Sequence, residues 1–158
     1  MTAKTFAALV ADAAAHIREI MPWDVDEMRA TEPDLLIVDI REPEEYAAGH
    51  IQHSLNVPRG ILEASCDWGY SDTIPELVKA RDKPVVLVCR SGNRTALAAL
   101  TLQLMGYQRV YSMKTGIRGW NDYELPLFNN ASEQVDIDWM AEVLDPPLRP
   151  EQMPPKSV

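Results

Sequence analysis

Cysteine is scarce in this 158-residue chain, which contains only Cys66 and Cys89. Two cysteines are too few for a disulfide framework, and their spacing is not that of metal ligands, so we expect no bound metal. Basic residues are outnumbered 15 to 24 by acidic ones, which leaves a net charge of −9. Because this field repels polyanions, we expect no nucleic acid partner and no binding to an anionic membrane. Nor does any apolar run approach the roughly 18 residues that a membrane span requires.

The length of the chain fits one domain with short additions at its two ends. We expect a helical extension over 1–19, the domain itself over 20–127, and a helix with a proline-rich tail over 128–158. The apolar run that begins at Phe6 is interrupted by Asp12, which argues against a secretory signal. We therefore expect a cytoplasmic location, where the reducing environment suits a working thiol.

Apolar segments alternate with amphipathic ones along the chain. Segments 35–38 and 84–88 have the composition of strands that are buried on both faces of a parallel sheet. Helical spacing then predicts an amphipathic helix with Leu97, Leu100 and Leu104 on its buried face. Strands that alternate with helices predict an α/β fold, in which a mainly parallel sheet carries helices on both faces.

The segment that joins strand 84–88 to the next helix contains the candidate catalytic residue. It reads Cys89-Arg90-Ser91-Gly92-Asn93-Arg94. In an open α/β sheet, the carboxyl ends of the strands and the amino ends of the helices form the usual ligand crevice. Backbone N–H groups and the helix dipole at that place favour a thiolate and an anionic substrate. We therefore expect Cys89 to be a nucleophile.

The rest of this loop is expected to bind the substrate. Gly92 permits a curl that turns successive N–H groups toward the sulfur. The backbone of Arg90, Ser91, Gly92, Asn93 and Arg94 then forms a cradle for an anion, and the side chains of Arg90 and Arg94 contact the donor. We expect the sulfur to be accessible at the bottom of the cradle. The interpretation would fail if the side chain were buried, the loop N–H groups faced elsewhere and no opening to water remained.

Three residues outside the loop have two interpretations each. Asp39 and Arg41 follow a neighbouring strand and end at the same edge of the sheet. They either reach the crevice or form an ion pair that braces the loop, and we favour the ion pair. Cys66 either resolves an oxidised Cys89 by forming a disulfide, which has strict geometric demands, or serves only as a packing thiol, which we favour.

Three separate segments together resemble the single-domain rhodaneses, a family of sulfurtransferases. The first is Leu36-Ile37-Val38-Asp39-Ile40-Arg41-Glu42-Pro43-Glu44-Glu45-Tyr46, the second is Gly49-His50-Ile51 with Asn56-Val57-Pro58, and the third is the loop from Cys89 to Arg94. Residues 116–120, near the end of the matching region, also resemble the family. The resemblance as a whole runs from about residue 20 to 127. It departs from the common pattern at Gln52-His53, where Pro-Gly is frequent, and at Thr95, where Ser is commoner.

The resemblance implies a five-stranded, mainly parallel sheet flanked by helices. It also implies that the protein moves sulfane sulfur from thiosulfate or a similar small anionic donor. Cys89 would carry the sulfur as a persulfide and pass it to cyanide or a thiol, including a thiol on a partner protein. By the same resemblance, Arg94 closes the loop and helps to hold the donor anion. No metal or organic cofactor is implied.

Two other functions remain open. The first is a sulfur-relay or binding module, which accepts sulfur from a partner protein and turns over free thiosulfate slowly. The second is a cysteine-dependent phosphatase. Related phosphatases and arsenate reductases have five residues between the cysteine and the arginine of the loop, whereas four lie between Cys89 and Arg94. The shorter loop makes a smaller cradle, which favours one sulfur atom over a tetrahedral phosphoryl group.

Overall fold

The computed structural model describes residues 1–156, which form eight α-helices and five β-strands. The strands are β1 Arg18–Ile20, β2 Leu36–Asp39, β3 Leu55–Asn56, β4 Pro84–Val88 and β5 Arg109–Met113. The helices are α1 Phe6–Ala14, α2 Pro22–Thr31, α3 Pro43–Ala48, α4 Leu62–Ser65, α5 Pro75–Val78, α6 Asn93–Leu104, α7 Gly116–Asp122 and α8 Ile137–Val143. Two 3-10 turns lie at Arg59–Ile61 and Pro150–Gln152. None of the helices over residues 1–156 combines the length and the apolar character needed to cross a membrane.

All five strands are parallel and lie in the order β1-β5-β4-β2-β3. This confirms the predicted α/β fold with its parallel sheet, and the five strands that the resemblance implied. β4 is central, and every one of its residues is buried, as expected for an apolar strand covered on both faces. Val88 of β4 pairs with Asp39 of β2, and Leu87 pairs with Ser112 of β5. The residues that follow β4 therefore emerge between two neighbouring strand ends, where ligands bind α/β sheets.

Side chains of β4 alternate between two core layers. Val85 and Leu87 belong to the layer that contains residues of α4 and α6. Val86 and Val88 belong to the opposite layer, which contains residues of α2, α7 and α8. Successive side chains of a strand point to opposite faces, so Cys89 continues the row of Val85 and Leu87 and lies in the first layer.

Helix α6 differs from its prediction in two respects. It begins at Asn93, with Gly92 as its N-cap, so that Arg94 belongs to its first turn rather than to the preceding loop. Its buried face is also not the predicted leucine face, because Leu104 is 84% exposed. Small side chains occupy the buried face instead, which allows the helix to lie close to β4 and β5. The buried residues of α6 are Thr95, Ala96, Ala98, Ala99 and Leu102.

The two ends of the chain both contact the central sheet and its helices. Arg18 and Glu19, which lie in the predicted extension, pair with β5 as part of β1. Helix α8 packs against α7. The segment after α8 is held to α7 by Arg118, whose Nη2 donates to the carbonyl oxygen of Leu144 at 2.9 Å and to Oδ1 of Asp145 at 3.0 Å. This segment therefore lies beside the amino end of α7.

Candidate active site

The loop after β4 curls around its own first side chain. The backbone N–H of Gly92 donates to Sγ of Cys89 at 3.2 Å, and Oγ1 of Thr95 lies 3.5 Å from the same sulfur. Gly92 has a φ of 90°, a conformation that residues with a Cβ rarely adopt. A Cβ at this position would also lie only 3.2 Å from the carbonyl oxygen of Met113. The curl that brings the N–H to the sulfur therefore depends on glycine.

Four other N–H groups of the loop donate to no residue within 1–156. They belong to Arg90, Ser91, Asn93 and Arg94. The first N–H groups of any α-helix lack intrahelical acceptors, and α6 adds the positive end of its dipole at the same place. This end of the loop therefore presents hydrogen-bond donors to an anion without losing any existing backbone bond.

The thiol of Cys89 is buried, contrary to the expectation of a sulfur open to water. Only 1% of the residue is exposed. The reason is the alternation along β4, which directs Sγ into the core layer beneath α6 rather than out of the crevice. A molecule in solution therefore has almost no direct contact with Cys89 in this conformation of the loop.

The carbonyl groups at the start of the loop accept hydrogen bonds from the amino end of α7. The N–H of Ile117 donates to the carbonyl oxygen of Cys89 at 2.8 Å, and the N–H of Arg118 donates to that of Arg90 at 2.9 Å. Gly116 permits this approach, because a Cβ at its position would lie 2.5 Å from the oxygen of Cys89 and 2.6 Å from that of Arg90. Its φ of 65° also favours glycine. The position of the loop therefore depends on a residue without a side chain at 116.

A pair of buried hydroxyls joins the loop to β5. Oγ1 of Thr95 lies 2.7 Å from Oγ of Ser112 and donates to the carbonyl oxygen of Gly92 at 3.2 Å. Thr95 and Ser112 are both fully buried. Since a buried hydroxyl without a partner is costly, this contact fixes the first turn of α6 against the sheet.

Arg94 is bound by a carboxylate of α3. Its Nη1 and Nη2 each donate to Glu45 at 2.9 Å, as a two-pronged ion pair. Burial acts to raise the pKa of Glu45, but the hydrogen bonds from Arg94 and from the Glu42 backbone outweigh it and lower that pKa. The hydrogen bond with Glu45 is the main cause that raises the pKa of Arg94, and charge on Cys89 also contributes. The guanidinium is therefore within electrostatic reach of the sulfur while α3 fixes its position.

Asp39 and Arg41 form a buried ion pair. Nε of Arg41 donates to Oδ1 of Asp39 at 2.9 Å, and Nη2 donates to Oδ2 at 2.7 Å and to the carbonyl oxygen of Gly49 at 2.8 Å. Nδ2 of Asn56 donates to the carbonyl oxygens of both residues at 3.0 Å. Neither charged side chain bonds to residues 89–94 within the described part of the chain. The pair fixes instead the chain on both sides of α3, the helix that carries Glu45.

The remaining predicted binding residues do not meet in one place. Arg90 borders a cavity of about 510 Å³ together with the segment after α8. Ser91 borders a different cavity of about 480 Å³, which is lined by Trp23 and Tyr123 among others. Asn93 is exposed at the start of α6.

Cys66 lies in the same core layer as Cys89 and is completely buried. Burial raises the pKa of its thiol above the ordinary value, and a hydrogen bond with Tyr107 and the charge of Arg81 offset only part of this effect. Both cysteines are free thiols. The burial of Cys66 supports the packing interpretation.

Glu45 and Gly116 are two of the positioning residues that the sequence alone does not identify. Both lie in the segments that carry the resemblance, but Glu45 is 49 positions from Arg94 in the chain, so no local pattern relates them. Within residues 1–156, no group of three or more His, Cys, Asp or Glu side chains is arranged to hold a metal ion.

Comparisons with known proteins support a common origin for most of the chain. The sequence profile of the rhodanese-like domain matches residues 22–123. A sulfurtransferase from Allochromatium vinosum is 34% identical over 111 residues, which cover 70% of this chain and 94% of that protein. An uncharacterized protein from Escherichia coli is 33% identical over 60% of this chain and 61% of its own length.

Solved structures extend this similarity to the fold. A protein of unknown function from Rhodopseudomonas palustris, described as a possible tyrosine phosphatase, has a TM-score of 0.72 and 31% identity; the match covers 80% of this chain and 96% of that one. The polysulfide-sulfur transferase homodimer from Wolinella succinogenes has a TM-score of 0.61 and 28% identity, over 80% of this chain and 88% of that one.

Proposed function

Because the chain belongs to the rhodanese-like domain family, we propose that it is a sulfurtransferase in which Cys89 carries sulfane sulfur as a persulfide. The observation that carries this proposal is the geometry of the loop. Sγ of Cys89 accepts the N–H of Gly92 at 3.2 Å, and four neighbouring N–H groups have no acceptor within residues 1–156. The sulfurtransferase and the polysulfide-sulfur transferase among the similar proteins support the same chemistry.

The proposed reaction has two displacements at sulfur. The thiolate of Cys89 attacks the outer sulfur of thiosulfate or a similar donor, the sulfur–sulfur bond of the donor breaks, and sulfite leaves with the bonding pair. Cyanide or a thiolate then attacks the outer sulfur of the persulfide, and Cys89 leaves as a thiolate. The products are thiocyanate or a new persulfide. The N–H of Gly92 and the dipole of α6 favour negative charge on sulfur before and after each step.

We assign the donor anion to the free N–H groups of the 90–94 backbone and to the positive charge of Arg94. Arg94 supplies its charge from a position that Glu45 fixes. Asp39 and Arg41 support this arrangement indirectly, because they secure the chain around α3. No residue other than Cys89 changes its covalent bonds in this scheme.

Entry of the donor requires access to a sulfur that is buried in the structure. Since Cys89 is 1% exposed, its sulfur must become accessible before it reacts. We therefore expect iodoacetamide to alkylate Cys89 much more slowly than it alkylates a free cysteine at the same pH. Alkylation as fast as that of free cysteine would show that the sulfur is open in solution.

The decisive experiment mixes the purified protein with thiosulfate and cyanide and follows thiocyanate. We expect turnover that Cys89→Ser abolishes and that the matched control Cys66→Ser retains. After thiosulfate alone, the mass of the protein should increase by one sulfur atom, localised to Cys89. A protein that acquires this sulfur from a partner protein but does not turn over free thiosulfate would be a relay module instead.

A phosphatase is the second candidate, because one similar structure is described as a possible tyrosine phosphatase. The four residues between Cys89 and Arg94 argue against it, since they leave a small cradle. Hydrolysis of an aryl phosphate that is lost in Cys89→Ser, without any thiocyanate production, would favour the phosphatase.

The same reaction implies particular partners and a particular compartment. The partners are a small anionic sulfur donor and a thiol or cyanide acceptor, including a thiol-carrying protein. Two free thiols in the described structure fit a reducing compartment, so we propose the cytoplasm. Trapping of Cys89 as a mixed disulfide in freshly lysed cells would argue for an oxidising location.

A further inference from the structure

The segment after α8 builds a pocket against the active-site loop. A cavity of about 510 Å³ lies between Arg90 and Arg118 on one side and residues 145–152, including Arg149, on the other. This segment lies outside the residues that match the family profile. Arg90 directly follows Cys89 in the chain, so one wall of the pocket belongs to the loop that holds the sulfur.

The pocket concentrates positive charge in an acidic protein. Three of its lining side chains are arginines, and Asp145 is the one acidic side chain among them. Asp145 pairs with Arg118 at 3.0 Å. Arg149 pairs at 3.3 Å with Glu151, but both side chains are largely exposed, so this pair is weak. The chain as a whole has a net charge of −9, so the excess at this place is a local feature.

Two of the arginines have hydrogen-bonding capacity that the described residues leave unused. Nε of Arg90 and Nε of Arg118 are both buried and have no acceptor within residues 1–156. Arg90 also takes part in no ion pair in that part of the chain. A buried cationic donor without an acceptor is unfavourable, and the oxygen atoms of an anionic ligand would remove that cost.

We propose that this pocket binds a carboxylate of a small acceptor thiol, and that it does so while the thiol sulfur reacts at Cys89. The inference rests on the proposed sulfurtransferase function. The planar guanidinium groups match the geometry of a carboxylate, and the pocket is larger than thiosulfate requires. In the reaction, the acceptor thiolate attacks the outer sulfur of the persulfide, the persulfide bond breaks, and Cys89 leaves as a thiolate. The acceptor departs as its own persulfide, with no net oxidation.

The test compares two acceptor thiols with thiosulfate as the donor. Glutathione carries two carboxylates, and 2-mercaptoethanol carries none. We expect Arg149→Gln to lower kcat/KM for glutathione about threefold to fivefold more than for 2-mercaptoethanol, the size typical of an exposed ion pair. Because the comparison is between variant and wild type for each thiol, differences in intrinsic thiol reactivity cancel.

Two further variants separate charge at this site from charge elsewhere. Arg149→Lys keeps the positive charge and should retain most of the preference for glutathione. Arg18→Gln removes one exposed positive charge from the edge strand β1, which is separated from β4 by β5, and should leave both acceptors unaffected.

The possible results show separately whether the pocket binds the acceptor and whether the protein is a sulfurtransferase. If the wild type transfers sulfur to both thiols but Arg149→Gln changes their kcat/KM equally, or not at all, the pocket does not bind the acceptor. If the wild type transfers sulfur to cyanide but to neither thiol, this inference fails while the proposed function stands; if it transfers sulfur to none of the three acceptors, both fail.

Discussion

Replacing Gly116 with alanine is the sharpest test of how the active-site loop is positioned. The new Cβ would lie 2.5 Å from the carbonyl oxygen of Cys89 and 2.6 Å from that of Arg90, so the loop and α7 must separate. Separation breaks the two backbone hydrogen bonds that join them, at 2.8 and 2.9 Å. Gly106 provides a matched control, because it also has a positive φ, of 92°, but nothing lies within 4 Å of its added Cβ.

Both alanine variants lose stability through backbone strain, but only Gly116→Ala also loses hydrogen bonds. Both force a side chain into the left-handed region, which costs roughly 1–2 kcal/mol. Gly116→Ala also loses two hydrogen bonds of about 0.5–1.5 kcal/mol each. We therefore expect it to lower the free energy of unfolding by about 1–3 kcal/mol more than Gly106→Ala does.

Urea denaturation of both variants measures this difference, and thiocyanate production at a temperature where both are folded measures its consequence. Gly106→Ala should keep the wild-type rate, whereas Gly116→Ala should lose most of it because the loop has moved. Equal losses of stability in the two variants, or full activity in Gly116→Ala, would refute the role of this contact.

Three other substitutions test separate parts of the site. Thr95→Val leaves the buried hydroxyl of Ser112 without its partner and should cost about 1–3 kcal/mol of unfolding free energy, while Thr95→Ser, measured by the same urea titration, should retain most of it. Cys66→Ala should keep thiocyanate production, since burial raises the pKa of that thiol; a loss as large as that of Cys89→Ser would show that Cys66 takes part. Because the pKa of Glu45 is lowered in the folded protein, its charge stabilises the fold above the ordinary carboxyl pKa of about 4.3 and ceases to do so as the pH falls through the folded value. Unfolding free energies measured from about pH 6 down to about pH 3 should therefore fall less steeply in Glu45→Gln than in the wild type.

The sheet was predictable because its signals are local. The strands around 35–38 and 84–88 are short apolar runs, and composition alone identifies them. The helix after the loop was predicted, but its buried face was not, because leucine spacing is a poor guide where a helix lies close to a sheet. The close approach selects small residues such as Ala98 and Ala99 for the contact and leaves Leu104 in solvent.

The burial of Cys89 was predictable in principle and was nevertheless missed. The residue continues the alternation of Val85 and Leu87, which assigns its side chain to a core layer. The loop motif begins at the same cysteine, and a motif read as a loop carries no information about which face of the sheet its first side chain lies on. The link between Arg94 and Glu45 is different in kind, because it joins positions 49 residues apart, and only the folded arrangement of α3 and α6 brings them together.

The motif and its surroundings determine different properties of the loop. The order of residues from Cys89 to Arg94 supplies a sulfur, a glycine that permits the curl, and two cations. It does not determine which backbone groups remain free. In the structure, the carbonyl oxygens of Cys89 and Arg90 accept hydrogen bonds from α7. The N–H groups that follow them in the loop remain available to a ligand. This division follows from Gly116, because any larger residue would displace the loop. A chain with the same loop but a larger residue at that position would therefore keep the cysteine and lose this arrangement of the N–H groups around it.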